Sequence, residues 1–99
     1  MTVYKNITSA THTTLKSKTV EEPFIGGARK VIITNNHDTS TTRIRLYIDD
    51  DSTEYTIAKT DIPPKTSLVL FDGIGFDASV YDLKLQTSEA GYDITVIIK

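Results

Sequence analysis

The chain contains no cysteine and no tryptophan among its 99 residues. Without cysteine there can be no disulfide, no thiolate nucleophile and no cysteine-ligated zinc site. No apolar run approaches the roughly 20 residues that a membrane-spanning helix needs. Residues 1–6 lack the basic-then-apolar order of a signal peptide. The sequence therefore predicts a protein that is made in a cytoplasm and does not act at a membrane.

The chain also lacks a strong charge of either sign. The net charge is −2, and the basic residues occur as isolated pairs rather than as a stripe. A protein that neutralises several phosphates needs clustered lysines and arginines, so we expect no nucleic-acid partner. The composition, with 38% hydrophobic and 24% charged residues, is typical of one globular domain.

Alternation of apolar and polar residues predicts strands. Threonine is abundant, and Val, Ile and Tyr fill most apolar positions, a bias that favours pleated sheets. The pattern is strongest over residues 43–48, where period two places Ile44, Leu46 and Ile48 on one face and the intervening side chains on the other. Further strands are predicted over residues 29–34, 53–58, 67–71, 81–86 and 92–98, with weaker candidates at 2–8 and 11–16.

Turn residues divide the chain at regular intervals. Pro63 and Pro64 predict a crossing loop over residues 61–65, because neither carries the N–H that a central strand needs. Residues 49–52 predict a hairpin tip, and residues 89–91 a further turn. About seven to eight short strands at this spacing predict an all-β, antiparallel β-sandwich, jelly-roll or immunoglobulin-like, or a small barrel. Within this single domain, residues 29–99 form the predicted core and residues 1–28 an extended arm or edge strands.

Few residues could carry catalysis. His12 and His37 are the only histidines, and both lie in polar stretches that predict surface positions. No nucleophile-elbow pattern accompanies them, so we expect no enzyme activity, no catalytic residue, no metal and no cofactor. The acidic run over residues 49–54 allows calcium binding as an alternative. The simpler interpretation is a solvated hairpin tip, because the run lacks the glycine and distal glutamate of an EF-hand loop.

Binding is the remaining class of function. Arg43, Arg45 and Tyr47 share the outward face of the strand over residues 43–48, and arginine and tyrosine are favoured anchors at interfaces. We predict a protein interface there, with Tyr4 and Lys5 as further candidates. A carbohydrate-binding module is the alternative of another class. It would need exposed aromatic rings, for which the sequence offers Tyr47, Tyr4 and Tyr92.

Residues 30–99 resemble a group of small virion structural proteins of tailed bacteriophages, especially marine podophages. The resemblance covers the segments 31–35, 44–50, 55–57, 62–70, 81–85 and 93–97. In such proteins a strand ending near an asparagine is followed by a hairpin similar to Leu46-Tyr47-Ile48-Asp49-Asp50. A loop similar to residues 62–70 and a final strand pair come next. Pro64 and Lys65 stand where that pattern has a small residue and a glycine.

The resemblance implies a β-sandwich present in many copies on a virion that is assembled in the host cytoplasm. The main role that it implies is that of a capsid decoration or cement protein. The alternative role is that of a tail or neck adaptor, or of a fibre-associated protein. The implied partners are the major capsid protein or other virion proteins, together with further copies of the chain in a homo-oligomer. Symmetric assembly suits such a role, because each added contact is made at high effective concentration.

Overall fold

A computed structural model of the chain describes residues 3–18, 27–28, 30–70, 74–77, 79–88 and 93–99. These residues form strands and turns but no helix. None of the described segments is therefore a helix that could cross a membrane. The strands are β1 (Val3–Ile7), β2 (Thr11–Lys16), β3 (Gly27–Ala28), β4 (Val31–Asn35), β5 (Thr42–Asp49), β6 (Glu54–Ile62), β7 (Thr66–Leu70), β8 (Ile74–Gly75), β9 (Asp82–Ser88) and β10 (Ile94–Ile98).

The strands pair as one long antiparallel ribbon that has been rolled up. The closed end of the ribbon is the hairpin of β5 and β6. The successive pairs away from this end are β4 with β7, β3 with β8, β2 with β9 and β1 with β10. Rolling the ribbon adds two further pairings, β10 with β4 and β5 with β9. The result is sheet A, in the order β1-β10-β4-β7, and sheet B, in the order β2-β9-β5-β6.

This strand order is that of a jelly roll, an eight-stranded sandwich built from a folded-over ribbon. Along the eight long strands the chain changes sheet at every step except the β5–β6 hairpin. An immunoglobulin fold arranges its strands differently, because it keeps more sequential hairpins within a sheet. The predicted all-β antiparallel sandwich is confirmed, and of the predicted alternatives the topology selects the jelly roll.

The core lies between the two sheets and is almost entirely aliphatic. Period-two alternation along β4 and β10 points every second residue inward, and the same holds for β5 and β9. The fully buried aliphatic side chains are Val31, Ile33, Ile44, Leu46, Leu85, Ile94, Val96 and Ile98, each 0% exposed. Ile7 and Leu15 also belong to this cluster. The edge strands β1 and β2 therefore each contribute a core side chain.

A bulge in β6 changes which side chains face the core. Leu46 pairs with Ala58 but Tyr47 pairs with Thr56, so Ile57 is an extra residue on β6. Ile57 and Ala58 consequently both pack against the core. Beyond the bulge Tyr55 is 49% exposed. Regular alternation predicts Tyr55 and Ile57 inward. Ile57 packs against the core, whereas Tyr55 pairs with Ile48 on the same side of the sheet but is half exposed rather than buried.

The turns agree with the predicted punctuation. Pro63 and Pro64 lie between β6 in sheet B and β7 in sheet A, so the crossing is confirmed, but Asp61 and Ile62 belong to β6 and the loop is shorter than the predicted residues 61–65. Lys65, which stands where the resembled pattern has a glycine, has a φ of 59°, in the left-handed region that favours glycine. β9 and β10 lie in different sheets, so the chain crosses between sheets after β9. The predicted turn at residues 89–91 lies outside the described residues.

Candidate interaction surfaces

The outer face of sheet B carries most of the charges that the strands place outside the core. We call it the charged face and define it by the outward side chains of the four strands of sheet B: Arg43, Arg45, Tyr47, Asp49, His12, Thr14, Asp82, Lys84, Gln86, Glu54, Thr56, Lys59 and Asp61. Arg43, Arg45 and Tyr47 lie together on it, as the alternation predicts. Their role in an interface stays a prediction.

Opposite charges are paired across neighbouring strands of the charged face. Arg43 Nε donates to Asp61 Oδ1 at 2.8 Å, and Lys84 Nζ donates to Asp49 Oδ2 at 3.0 Å. The hydrogen bond from Arg43 lowers the pKa of the Asp61 carboxyl below its ordinary value. The Arg43–Asp61 pair is exposed and contributes little to stability, whereas the Lys84–Asp49 pair is partly buried. Their main effect is to hold the guanidinium and ammonium groups in defined positions on the surface.

Arg45 is held by two hydrogen bonds to β6 and by a contact with the Tyr47 ring. Its Nη1 donates to Glu54 Oε1 at 2.8 Å, and its Nε donates to Thr56 Oγ1 at 2.7 Å. The guanidinium carbon lies 4.4 Å from the centroid of the Tyr47 ring. Arg45 thus uses β6 as an anchor and covers Tyr47, in a cation–π contact that also shields the ring from water.

Tyr47 is on the charged face but is not available as an exposed anchor. Its relative exposure is 1%. Arg45 covers the ring, and the His12 ring meets it edge-on, with the centroids 5.9 Å apart and an interplanar angle of 81°. The Tyr47 hydroxyl lies 2.7 Å from His12 Nδ1, with the donor set by the histidine tautomer. The expectation of an exposed Tyr47 ring is therefore wrong, and so is that of a carbohydrate platform built on it.

Burial should make the Tyr47 hydroxyl a weaker acid than that of an exposed tyrosine. Loss of water around the ring raises its pKa above the ordinary value of 10.0. Because the pKa of the Tyr47 hydroxyl is higher in the folded than in the unfolded state, the protonated hydroxyl contributes to the stability of the fold. This contribution is complete below pH 10 and is lost as the pH rises through the folded-state pKa. We expect the difference between the ultraviolet alkaline titrations of the wild type and Tyr47→Phe to have a midpoint above pH 10.0. A midpoint at or below that value would show that water reaches the hydroxyl.

A shallow groove of about 230 Å³ lies beside this cluster and is lined by Ala10, Thr11, His12, Gln86 and Thr87. Its floor is rigid, because the buried Thr87 Oγ1 donates to the Ser9 carbonyl at 2.7 Å and accepts from the Thr11 N–H at 3.2 Å. The groove places one imidazole beside amide and hydroxyl groups. Hydrogen bonding to a polar surface group of a partner is the chemistry that this arrangement offers.

His37 has a structural role in the loop after β4. Its Nδ1 accepts the backbone N–H of Thr39 at 3.1 Å and that of Ser40 at 3.0 Å. Its own backbone N–H donates to Asn35 Oδ1 at 3.0 Å. In the parts of the chain that the structure describes, no three His, Asp or Glu side chains are grouped so as to hold a metal ion.

The carboxylates of the β5–β6 tip are used to build the turn. Asp50 Oδ1 accepts the backbone N–H groups of Thr53 at 2.7 Å and Ser52 at 3.0 Å, which lowers the pKa of its carboxyl. Asp49 Oδ1 accepts the N–H of Asp51 at 2.8 Å. Asp51 has a φ of 76° and its carboxylate pairs with Lys18. The oxygens therefore point at backbone donors and at two lysines, Lys18 and Lys84, as the hairpin-tip interpretation predicts.

Tyr4 and Lys5 lie far from the charged face in the topology, since β1 is an edge strand of sheet A. Tyr4 is on the outer face of sheet A and is 70% exposed. Lys5 shares the orientation of Val3 and Ile7 but is exposed at the sheet edge. The five residues predicted as interface therefore do not form one surface. Tyr92, considered for sugar binding, is outside the described residues.

The outer face of sheet A carries no charge across two complete rows of side chains. We call it the neutral face. One row is apolar and the next is polar, each running across β1, β10, β4 and β7: Tyr4, Ile97, Ile32 and Val69, then Asn6, Thr95, Thr34 and Ser67. No feature of the sequence marked this surface, because each of its strands alone shows only ordinary alternation.

No known protein family matches the chain, and no curated protein sequence matches it. Among solved structures, the Anabaena sensory rhodopsin transducer is similar at 14% sequence identity, with 98% of this chain and 85% of that chain covered and a TM-score of 0.36. Likeness at this level carries no argument about function. The class to which the chain belongs, a small jelly-roll sandwich, is defined by its own strand order.

Proposed function

We propose that this protein is a non-enzymatic structural component of a tailed-phage virion, and specifically a capsid decoration protein that binds the head surface in many copies. The proposal starts from the resemblance of residues 30–99 to such proteins. The jelly roll is also used by viral capsid proteins, although lectins share it, so the fold supports the proposal only by analogy. The alternative within the same class is a tail or neck adaptor.

The observation that carries the proposal is the construction of the charged face. Arg43 and Arg45 are held in place by ion pairs to β6. Tyr47 and the groove beside His12 lie on the same face. Charged groups in fixed positions favour a specific partner through on-rate and register, and they disfavour wrong partners. A protein that must cover a lattice of identical subunits needs such a rigid recognition surface more than it needs a deep cleft.

The histidines support the same interpretation. His37 accepts two backbone N–H groups within its own loop, and His12 is engaged with the Tyr47 hydroxyl. Catalysis by a histidine base requires a nucleophile in hydrogen-bond reach and a base that is free to accept its proton. Tyr47 is a poor nucleophile for this purpose, because burial raises the pKa of its hydroxyl. Both imidazoles thus serve the architecture of the domain.

The test is attachment to particles of the phage whose genome encodes the chain. Mass spectrometry of gradient-purified particles should detect the protein in many copies. Recombinant protein should bind particles that lack it, and Arg43→Glu combined with Arg45→Glu should reduce this binding at least about tenfold, as expected for loss of interface anchors.

The matched control is Lys65→Glu combined with Lys99→Glu, which makes the same change in net charge at exposed positions away from the charged face. It should bind like the wild type. Circular dichroism should show that both double variants are folded. Particles without the protein would contradict the virion role, whereas equal binding by the arginine variant would move the contact to another surface.

A further inference from the structure

We infer that the neutral face is a self-association surface, on which two copies of this chain pack sheet A against sheet A about a two-fold axis. This inference rests on the surface chemistry of sheet A and is independent of the proposed virion role. The principal exposed anchor is Tyr4, which is 70% exposed on an edge strand. Beside it Ile97, Ile32 and Val69 continue an apolar row across the whole sheet.

The polar row beside it can be covered at little cost. Thr95 Oγ1 donates to Asn6 Oδ1 and accepts from Asn36 Nδ2, both at 2.9 Å. Thr34 Oγ1 and Ser67 Oγ share a hydrogen bond of 2.7 Å. Removing water from a polar group is expensive chiefly when the group is left without a partner. Here each of these side chains keeps at least one hydrogen-bond partner within the sheet when a second surface covers it.

The distribution of charge indicates what covers the face. Two identical chains of net charge −2 repel each other weakly in any orientation, and no local repulsion is added where the facing surfaces carry no charge. The neutral face offers eight such positions, whereas the charged face would bring like charges together or require its ion pairs to be desolvated. Depletion of charge at the centre with an aromatic residue present is also the composition of an interface core. A second copy therefore fits the face better than a charged partner does.

The ends of the face determine the orientation of the axis. Lys99 and Lys30 continue β10 and β4 beyond the apolar row, and their backbones are hydrogen-bonded to each other. A two-fold axis parallel to the strands would place these lysines opposite those of the second copy. An axis that runs along the apolar row places them opposite the neutral polar row instead. It also sets Ile97 against Ile97 of the other copy, at the centre of an apolar strip with polar margins.

The area of the face limits the affinity. Four strands about 4.8 Å apart and three to four residues along each strand cover roughly 20 by 15 Å, or about 300 Å² of flat surface. A standard interface buries about 800 Å² per partner. The contact should therefore be weak on its own, with a dissociation constant in the micromolar range or above, and should gain strength where many copies are held close together.

The experiment is sedimentation equilibrium of the full chain from about 10 µM to about 1 mM, a range that brackets a weak dimer. We expect a reversible monomer–dimer equilibrium. Ile97→Lys and Ile97→Glu should each weaken it at least about tenfold, because each places two like charges at the axis. An equimolar mixture of the two variants should recover association, because opposite charges then meet there.

Thr14→Lys and Thr14→Glu are matched controls, since Thr14 is an exposed strand position on the charged face. They should dimerise like the wild type. Tyr4→Ser, at the most exposed position of the row, repeats the test without a new charge in case the Ile97 variants unfold.

A wild type that stays monomeric at 1 mM, or Ile97 and Tyr4 variants that associate normally, would overturn the inference. Failure of the mixture to recover would overturn the proposed axis. Particle binding by a monomeric protein would leave the virion role intact.

Discussion

Replacing Asn35 with leucine should lower the free energy of unfolding by about 2 to 4 kcal/mol, because each buried polar group left without a partner costs about 1 to 3 kcal/mol. Asn35 is 0% exposed at the end of β4. Its Nδ2 donates to the Ile62 carbonyl at 2.9 Å and to the Ser40 carbonyl at 2.8 Å. Its Oδ1 accepts the His37 N–H at 3.0 Å. One amide thus ties the end of β4 in sheet A to the end of β6 in sheet B.

Thermal unfolding followed by circular dichroism measures this effect. For a domain of this size we expect the Tm of Asn35→Leu to fall by about 10 to 25 °C. Asn35→Asp should be at least as harmful at neutral pH, because a carboxylate cannot donate to either carbonyl. Asn36→Leu is the control, since exposed Asn36 makes one side-chain hydrogen bond to Thr95. Equal losses at positions 35 and 36 would show that the buried network does not join the two sheets.

Replacing Leu46 with alanine should destabilise the fold by about 2 to 5 kcal/mol, the range observed when a buried leucine is truncated and leaves a cavity. Leu46 is 0% exposed on β5, which is bonded to neighbours on both sides. Its backbone pairing with Ala58 and Leu85 fixes its position, so the surrounding side chains have little freedom to fill the space. The loss is therefore expected near the upper half of that range.

Denaturant unfolding separates this effect from a change in the unfolded state. The midpoint should fall while the slope m stays constant. Leu68→Ala is the matched control, because Leu68 on β7 packs against the core but remains partly exposed. Its truncation should cost less than about 2 kcal/mol, in proportion to the smaller area that it buries. If the two substitutions were equally costly, the depth of burial between the two sheets would not determine the cost of truncation.

Much of the local structure could be predicted because alternation is written into consecutive residues. The strand predicted over residues 43–48 is β5, Thr42–Asp49, and the strand predicted over 81–86 is β9, Asp82–Ser88. β6 extends to Ile62, beyond the predicted residue 58. The alternation rule failed there because the bulge at Ile57 shifts the register, and no spacing in β6 alone shows where a bulge falls.

The candidate surfaces were predicted only in part. Alternation placed Arg43, Arg45 and Tyr47 on one face, but it could not show that Arg45 and His12 cover the tyrosine. The turn-like sequence after Val31–Asn35 predicted a loop. In the proteins that the chain resembles, a strand also ends near an asparagine. That Asn35 is a buried link between sheets became visible only when Ile62, 27 residues away, was placed beside it.

By itself the sequence determined that the chain forms short, two-faced strands separated by turns and that these strands build an antiparallel sandwich or small barrel, because side-chain alternation and turn chemistry act over a few residues. Tertiary structure alone decided which strands pair. β1 meets β10 and β2 meets β9, across most of the length of the chain. Those pairings place Tyr4, Ile97, Ile32 and Val69 in one row on one outer face and gather the arginines on the other. Both surfaces arise from rolling the ribbon, a global event that joins residues no local pattern connects.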